Sequence, residues 1–259
     1  MTIKALSNGN DNPVDTDKTI DSKEMSIISH FAELRWTLIR CICAVILCAI
    51  PCWMFWERIF DFFAVLPLRL SNPAPRIIYT APVETVMLSF KIALTGGVIL
   101  ASPFIFQQIW SFAAPGLYKK ERFLILSIVL ASTLCFLSGF AFCYLMLPLL
   151  LRFLTGYATV QIDPFFRIDE YVNFLIKMSL AFGAAFEMPV IAFVLSRIGI
   201  IDHRFLIRFF RYSIVVIFTA AAILTPPDVI SQVFLALPLL ALYALSILVA
   251  FLAKRRPKE

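Results

Sequence analysis

Six long apolar segments, at about 36–56, 86–110, 123–147, 173–196, 210–224 and 232–253, take up most of this 259-residue chain. A bilayer's hydrocarbon core is about 30 Å thick, and about 20 residues of helix at 1.5 Å each cross it. Inside that layer no water is present to satisfy backbone polar groups, so each such segment closes its own hydrogen bonds as a helix. The chain therefore reads as all-α, a polytopic membrane protein with six transmembrane helices. With 61% hydrophobic residues, 15% charged and a mean hydropathy of +0.87, it cannot be an ordinary soluble domain. Twenty-six phenylalanines and seven tyrosines suit lipid-facing and interfacial surfaces.

The same pattern fixes the domain boundaries. Residues 1–25 are polar and acidic and lack the apolar core of a cleavable signal peptide, so they read as a disordered cytoplasmic tail. Residues 26–253 form the six-helix transmembrane domain, and 254–259 a basic cytoplasmic tail. Pro51, Pro103, Pro148, Pro189 and Pro238 lie within or at the ends of the spans, where neighbouring helices can satisfy the freed carbonyls. The fifth span is short: 14 residues separate Arg211 from Pro226-Pro227. That is about 21 Å of helix, which predicts local thinning of the bilayer or a tilted, recessed helix.

Positive charge orients the bundle. Placing both termini in the cytoplasm puts 15 Lys and Arg inside: four up to Arg35, Lys119, Lys120 and Arg122, four between Arg197 and Arg211, and four after Ala253. The opposite loops hold five: Arg58, Arg69, Arg76, Arg152 and Arg167. Cytoplasmic loops carry the excess of Lys and Arg, so the orientation reads N-in, C-in. The same bias accounts for the pI of about 9.1 without any nucleic-acid partner. Trp53, Trp56 and Trp110 fall at span ends, as interfacial anchors do. The loop 57–85 opens with an amphipathic pattern that suits a short helix lying on the outer membrane surface.

One residue defies the apolar pattern. Glu187 lies near the middle of the fourth span, in Gly183-Ala-Ala-Phe186-Glu187-Met-Pro189. A carboxylate at that depth costs roughly 2.5–3.5 kcal/mol on insertion scales, so such residues mark function or a satisfied contact. Two readings stand side by side: a carboxyl hydrogen-bonded to a neighbouring helix, or a polar, water-exposed indentation reached from the cytoplasmic half. Lys177 is ten residues earlier, about 15 Å along a straight helix, and cannot pair with it. The six cysteines all lie in apolar segments, with no CxxC pair and no nearby histidine, so neither a metal nor a disulfide is expected and no cofactor is implied. No nucleophile–base pair or HExxH lies in a span, which argues against an enzyme. A proton-coupled small-solute secondary transporter, with Glu187 as the ion site, is the alternative class. It calls for internal repeats and unwound glycine-rich helices, which the sequence does not show.

Short motifs recur at the span ends. His30-Phe-Ala-Glu33-Leu34-Arg35 precedes the first span, and Pro82-Val-Glu84 with Lys91 opens the second. Pro103-x4-Gln108-x-Trp110-x-Phe112-x2-Pro115-Gly116-Leu117-x3-Glu121 ends the second and leads into the third. Gly139-x2-Phe142-x-Tyr144 lies late in the third, Phe186-Glu187-x-Pro189 in the fourth, and Thr225-Pro226-Pro227-Asp228-x2-Ser231-Gln232 joins the fifth to the sixth. In this order the motifs resemble TatC, the multi-pass core of the twin-arginine (Sec-independent) protein translocase, over about residues 26–250. The chain departs from the family pattern at Thr37, Val86 and Ala244, positions commonly basic, aromatic and acidic.

The resemblance implies a receptor for twin-arginine signal peptides, part of a translocase that exports folded proteins across the cytoplasmic (inner) membrane and depends on the proton-motive force. Two guanidinium groups call for carboxylates in fork-shaped geometry at the membrane surface. By resemblance, Glu121 is the principal contact for the arginine pair, with Glu33 and Arg35 beside it and Phe112 lining the same patch. Thr225, Asp228 and Gln232, with Tyr144 nearby, would dock single-span TatA/TatB-type partner helices; Asp228 is equally placed to cap the sixth helix. A homo-oligomer within a larger complex is implied. Glu84 and Lys91 read as scaffold with interfacial anchoring.

Overall fold

The computed structural model describes residues 15–71, 76–113, 122–156, 165–225 and 228–253; of 15–31 and 122–124 it describes the backbone alone. Helix α1 (Asp15–Met54) carries the first span. A helical turn α2 (Trp56–Phe60) runs through a π turn (Asp61–Val65) into α3 (Leu66–Leu70), and strand β1 (Arg76–Ile78) follows. Then come α4 (Pro82–Ala113), α5 (Arg122–Thr155), strand β2 (Phe165–Arg167), α6 (Ile168–Phe186), α7 (Met188–Arg197), α8 (His203–Leu224) and α9 (Val229–Ala253). By length and composition these give six spans, α6 and α7 together forming the fourth.

The helices outrun the apolar segments that predict them. Helix α4 has 32 residues and α5 has 34, about 50 Å each, so both continue well past the hydrocarbon into their polar flanks. Helix α1 begins at Asp15, so the second half of the segment expected to be a disordered tail continues the first helix. Residues 1–14 and the basic tail 254–259 lie outside the described residues. The fifth span behaves likewise. Its helix is 22 residues long, but Arg204, Arg208 and Arg211 are exposed on its first three turns, and only the remainder is continuously apolar.

Packing follows the order first, second, third, fourth, sixth, fifth. Helix α1 lies on α4, α4 on α5, α5 on α6, α7 on α9, and α9 on α8. The fourth span thus joins two halves, because its first part packs on the third span and its second part on the sixth. It breaks where the sequence predicts. Pro189 has no N–H to offer the carbonyl four residues back, and Glu187 sits at the junction with φ −74° and ψ −18°. Its own N–H turns to the carbonyl of Ala184 at 3.2 Å. The close crossing of α5 over α6 depends on Gly139, where a Cβ would come within 2.6 Å of the Phe182 carbonyl oxygen. Small residues at such crossings let two backbones approach.

Side chains bond across the spans to backbone carbonyls: Gln232 Nε2 to Phe218 O (2.9 Å), Ser196 Oγ to Ala250 O (2.9 Å) and Tyr243 Oη to Leu206 O (3.0 Å). In hydrocarbon these are part of what holds α7, α8 and α9 together.

The helical turns after α1 fold one side onto the protein and leave Phe62, Leu66 and Leu70 exposed on the other. Ala64 and Leu68 are buried with Leu88, Ile92, Leu147, Leu151 and Tyr171. Two carbonyls in the π turn accept tyrosine hydroxyls from other spans: Phe62 O from Tyr144 (3.0 Å) and Ala64 O from Tyr171 (2.9 Å). The strands pair in parallel, Arg76 opposite Phe165 and Ile78 opposite Arg167, tying the first loop to the one before the fourth span. Three-residue strands carry no alternation long enough to be read from sequence.

Candidate functional site

At the face where the first span begins, Glu33 and Arg35 are exposed on α1, and the Arg35 guanidinium lies 5.8 Å from the ring centroid of Trp36. Phe112 is half-buried in the last turn of α4. Arg40, Gln107 and Ser111 line one cleft, so the start of the first span and the end of the second share this face. Glu121, the principal candidate, falls in the connection between α4 and α5 and lies outside the described residues, as do its neighbours Lys119 and Lys120. The last turn of α4 and the first turn of α5, which bound that connection, line the same cleft as Arg40.

Glu187 is only 6% exposed. Its carboxyl lies beside Ser132 of α5, and the Ser132 oxygen accepts Trp110 Nε1–H of α4 at 2.8 Å. Ser132 is fully enclosed and Trp110 is 8% exposed, within a cluster that includes Ile128, Val190 and Val194. The second, third and fourth spans therefore meet at one polar relay, Trp110 to Ser132 to Glu187. One carboxyl oxygen, Oε1, is buried without a hydrogen-bond partner among the described residues. The carboxyl is closed in by protein rather than open to an indentation. Trp110 is no interfacial anchor either: burying its ring while satisfying its N–H places it inside the bundle. Nothing in the sequence singles out Ser132, since serines are common in these spans; only the packing of α5 brings it to the kink.

The turn between the fifth and sixth spans joins three of the four residues expected to dock a partner. Thr225 Oγ1 bonds back to Ala221 O at 2.9 Å, Asp228 Oδ2 accepts the Ser231 N–H at 2.7 Å and so caps α9, and Gln232 crosses to α8. Asp228 Oδ1 and Ser231 Oγ are buried without partners among the described residues. Pro226 and Pro227 lie outside those residues. Tyr144 is engaged elsewhere: its ring stacks on Phe62 at 5.3 Å and its hydroxyl holds the Phe62 carbonyl.

Glu84 and Lys91 are built into the frame. Glu84 stands third in α4 behind Pro82, reaches back to the Thr80 N–H at 2.9 Å, and takes Arg167 at 3.3 Å. That arrangement resembles a capping box, with proline at the first helical position. Lys91 pairs with Asp169 at the start of α6. Sequence spacing along α4 alone hides both partners, which lie about 80 residues away.

Comparison with known proteins follows the same arrangement. The family model described as Sec-independent protein translocase protein (TatC) matches residues 29–238. A Sec-independent protein translocase protein TatC of Helicobacter pylori (strain J99) is 38% identical over 231 residues, 89% of this chain and 90% of that protein. Its namesake in Aquifex aeolicus is 38% identical over 238 residues, 91% and 98% of the two chains. A crystal structure of a twin arginine translocase receptor, TatC, superposes with a TM-score of 0.79 at 39% identity, covering 87% of this chain and all of that one.

Proposed function

Since the chain belongs to the TatC family of Sec-independent protein translocase proteins, we propose that it is the signal-peptide receptor and multi-pass core of a translocase that exports folded proteins bearing twin-arginine signals. The single observation that carries this is the match over nearly the whole chain to a solved twin-arginine translocase receptor. The same membership sets aside the small-solute transporter, and no catalytic role is assigned.

The reading site is the face bearing Glu33, Arg35, Phe112 and Glu121. Glu33 is exposed at the mouth of the first span, where an incoming cationic leader meets it before the bilayer. Glu121 falls in the sequence between α4 and α5, whose facing ends line the cleft beside α1. A carboxylate pair there offers the planar acceptors that two guanidinium groups require, and each such charge-assisted bond is roughly twice as strong as a neutral one. This face is cytoplasmic and both termini lie inside, because cargo is made there and the Lys and Arg bias favours that side. The membrane is the cytoplasmic one, and transport draws on the proton-motive force.

Thr225, Asp228 and Gln232 form the docking turn for TatA/TatB-type single-span helices. Asp228 Oδ1 and Ser231 Oγ, buried and without partners among the described residues, support that role, since a polar group arriving on a partner helix would satisfy them. Tyr144 contributes by holding the first loop beside the third span. Several copies assemble with these partners in a larger complex.

The test is photocrosslinking of a twin-arginine signal peptide to the protein in membranes. Glu121→Ala abolishes the crosslink and Glu33→Ala weakens it, while both variants insert normally. Intact binding and export in both variants would overturn this site.

A further inference from the structure

A cleft of about 580 Å3 opens between α1, α4 and α5 at the face where the first span begins. Its two sides differ chemically. Arg40, Gln107, Gln108 and Ser111 supply a cation, two amides and a hydroxyl; Ile125 and Val129 of α5 supply an apolar wall. Among the described residues no carboxylate lines it. Gln107, Gln108 and Ser111 lie in the last turns of α4 and line the same cleft as Arg40.

Arg40 sits where such a cleft demands a ligand. It lies four residues inside the first apolar segment, about 6 Å of helix beyond its edge. A guanidinium at that depth is costly unless it is paired or reaches a headgroup. Among the described residues it has no ion pair, whereas Lys91, the cation in the second span, is paired with Asp169. Clefts of 300–1,000 Å3 are of the size that holds small ligands, and basic clefts between transmembrane helices take lipid headgroups.

We propose that this cleft binds an anionic membrane phospholipid, with the phosphodiester on Arg40 and the Gln107, Gln108 and Ser111 donors and an acyl chain along Ile125 and Val129. The chemistry selects against the cationic leader itself, which Arg40 repels. A peptide carboxylate would leave the apolar wall uncovered, and an amphiphile covers both halves. The inference stands apart from the assignment of Glu33, which is not among the described residues that line the cleft.

Native mass spectrometry of the purified full-length protein, titrated separately with phosphatidylglycerol, phosphatidylcholine and inorganic phosphate, tests this. The wild type retains phosphatidylglycerol at least tenfold more tightly than phosphatidylcholine. Arg40→Leu, which removes a charge from an apolar segment and so favours insertion, loses that preference; Gln108→Leu weakens it severalfold. Arg40→Lys keeps it in part, and Arg204→Leu, on the exposed start of α8, keeps it in full. Equal retention of phosphatidylglycerol by wild type and Arg40→Leu would overturn the site. Equal retention of the two lipids by the wild type would overturn the anionic headgroup, and competition by millimolar inorganic phosphate would overturn the membrane source.

Discussion

Glu187 carries the largest polar cost in the chain, and the structure shows how part of it is offset. Ser132 lies beside the carboxyl and accepts the Trp110 indole N–H, so side chains from three spans meet in a buried polar cluster. Interhelical hydrogen bonds in membrane proteins average about 0.6 kcal/mol and reach about 1.7, because the separated helices in lipid also find partners. Ser132→Ala and Trp110→Phe are each expected to cost about 1 kcal/mol in reversible unfolding. The double variant should cost about 0.6 kcal/mol less than the sum of the two, because removing either breaks the same chain. Strict additivity would show that Trp110 and Ser132 contribute independently. The carboxyl itself is legible from the sequence, as a charge in an apolar run. Its partners are not, because Ser132 lies 55 positions away and Trp110 reads as an anchor as long as the facing of its ring is unknown.

The helices, unlike their partners, are written into the chain: long apolar runs must close their own hydrogen bonds, and Pro189 must interrupt the fourth. Two glycines act at this scale for different reasons. Gly199, with φ of +81°, ends α7 in a Schellman motif, its N–H on Ser196 O (3.2 Å) and the Ile200 N–H on Leu195 O (3.0 Å). A Cβ there would meet nothing within 4 Å, so Gly199→Ala costs only the left-handed backbone penalty, about 1–2 kcal/mol. Gly139→Ala meets the Phe182 carbonyl instead and must push α5 from α6, so it should cost about 1–3 kcal/mol as overpacking. Gly139→Leu should cost more still, whereas Gly199→Leu should match Gly199→Ala. Thermal unfolding in mild detergent measures all four; a Gly199→Leu far below Gly199→Ala would refute the backbone account. Neither the π turn nor the β1–β2 pair is legible, because each is set by contacts between segments far apart in sequence: Tyr144 and Tyr171 reach Phe62 and Ala64 only once the third and fourth spans have packed.

At the scale of the whole molecule, the packing order leaves α1 and α8 on the two flanks, each with one principal neighbour. Both expose rows of large apolar side chains, from Leu38 to Ile50 on α1 and from Val215 to Ile223 on α8. The turn bearing Thr225, Asp228 and Gln232 lies at the end of α8, so a partner helix arriving there would have an open apolar flank beside it. The charge bias is what supports an assignment of this turn to one membrane face. An even number of spans keeps both termini on one side, and four of the described arginines, Arg197, Arg204, Arg208 and Arg211, share that side with α1's polar start. Single cysteines in a background without the six native ones read the orientation directly. Asn10→Cys and Lys258→Cys should resist a membrane-impermeant maleimide in intact cells and react after permeabilisation, while Gln161→Cys, between the third and fourth spans, should react at once. The reverse pattern would put Glu33 and Glu121 on the side where no newly made cargo waits, and the receptor reading of that face would fall with it.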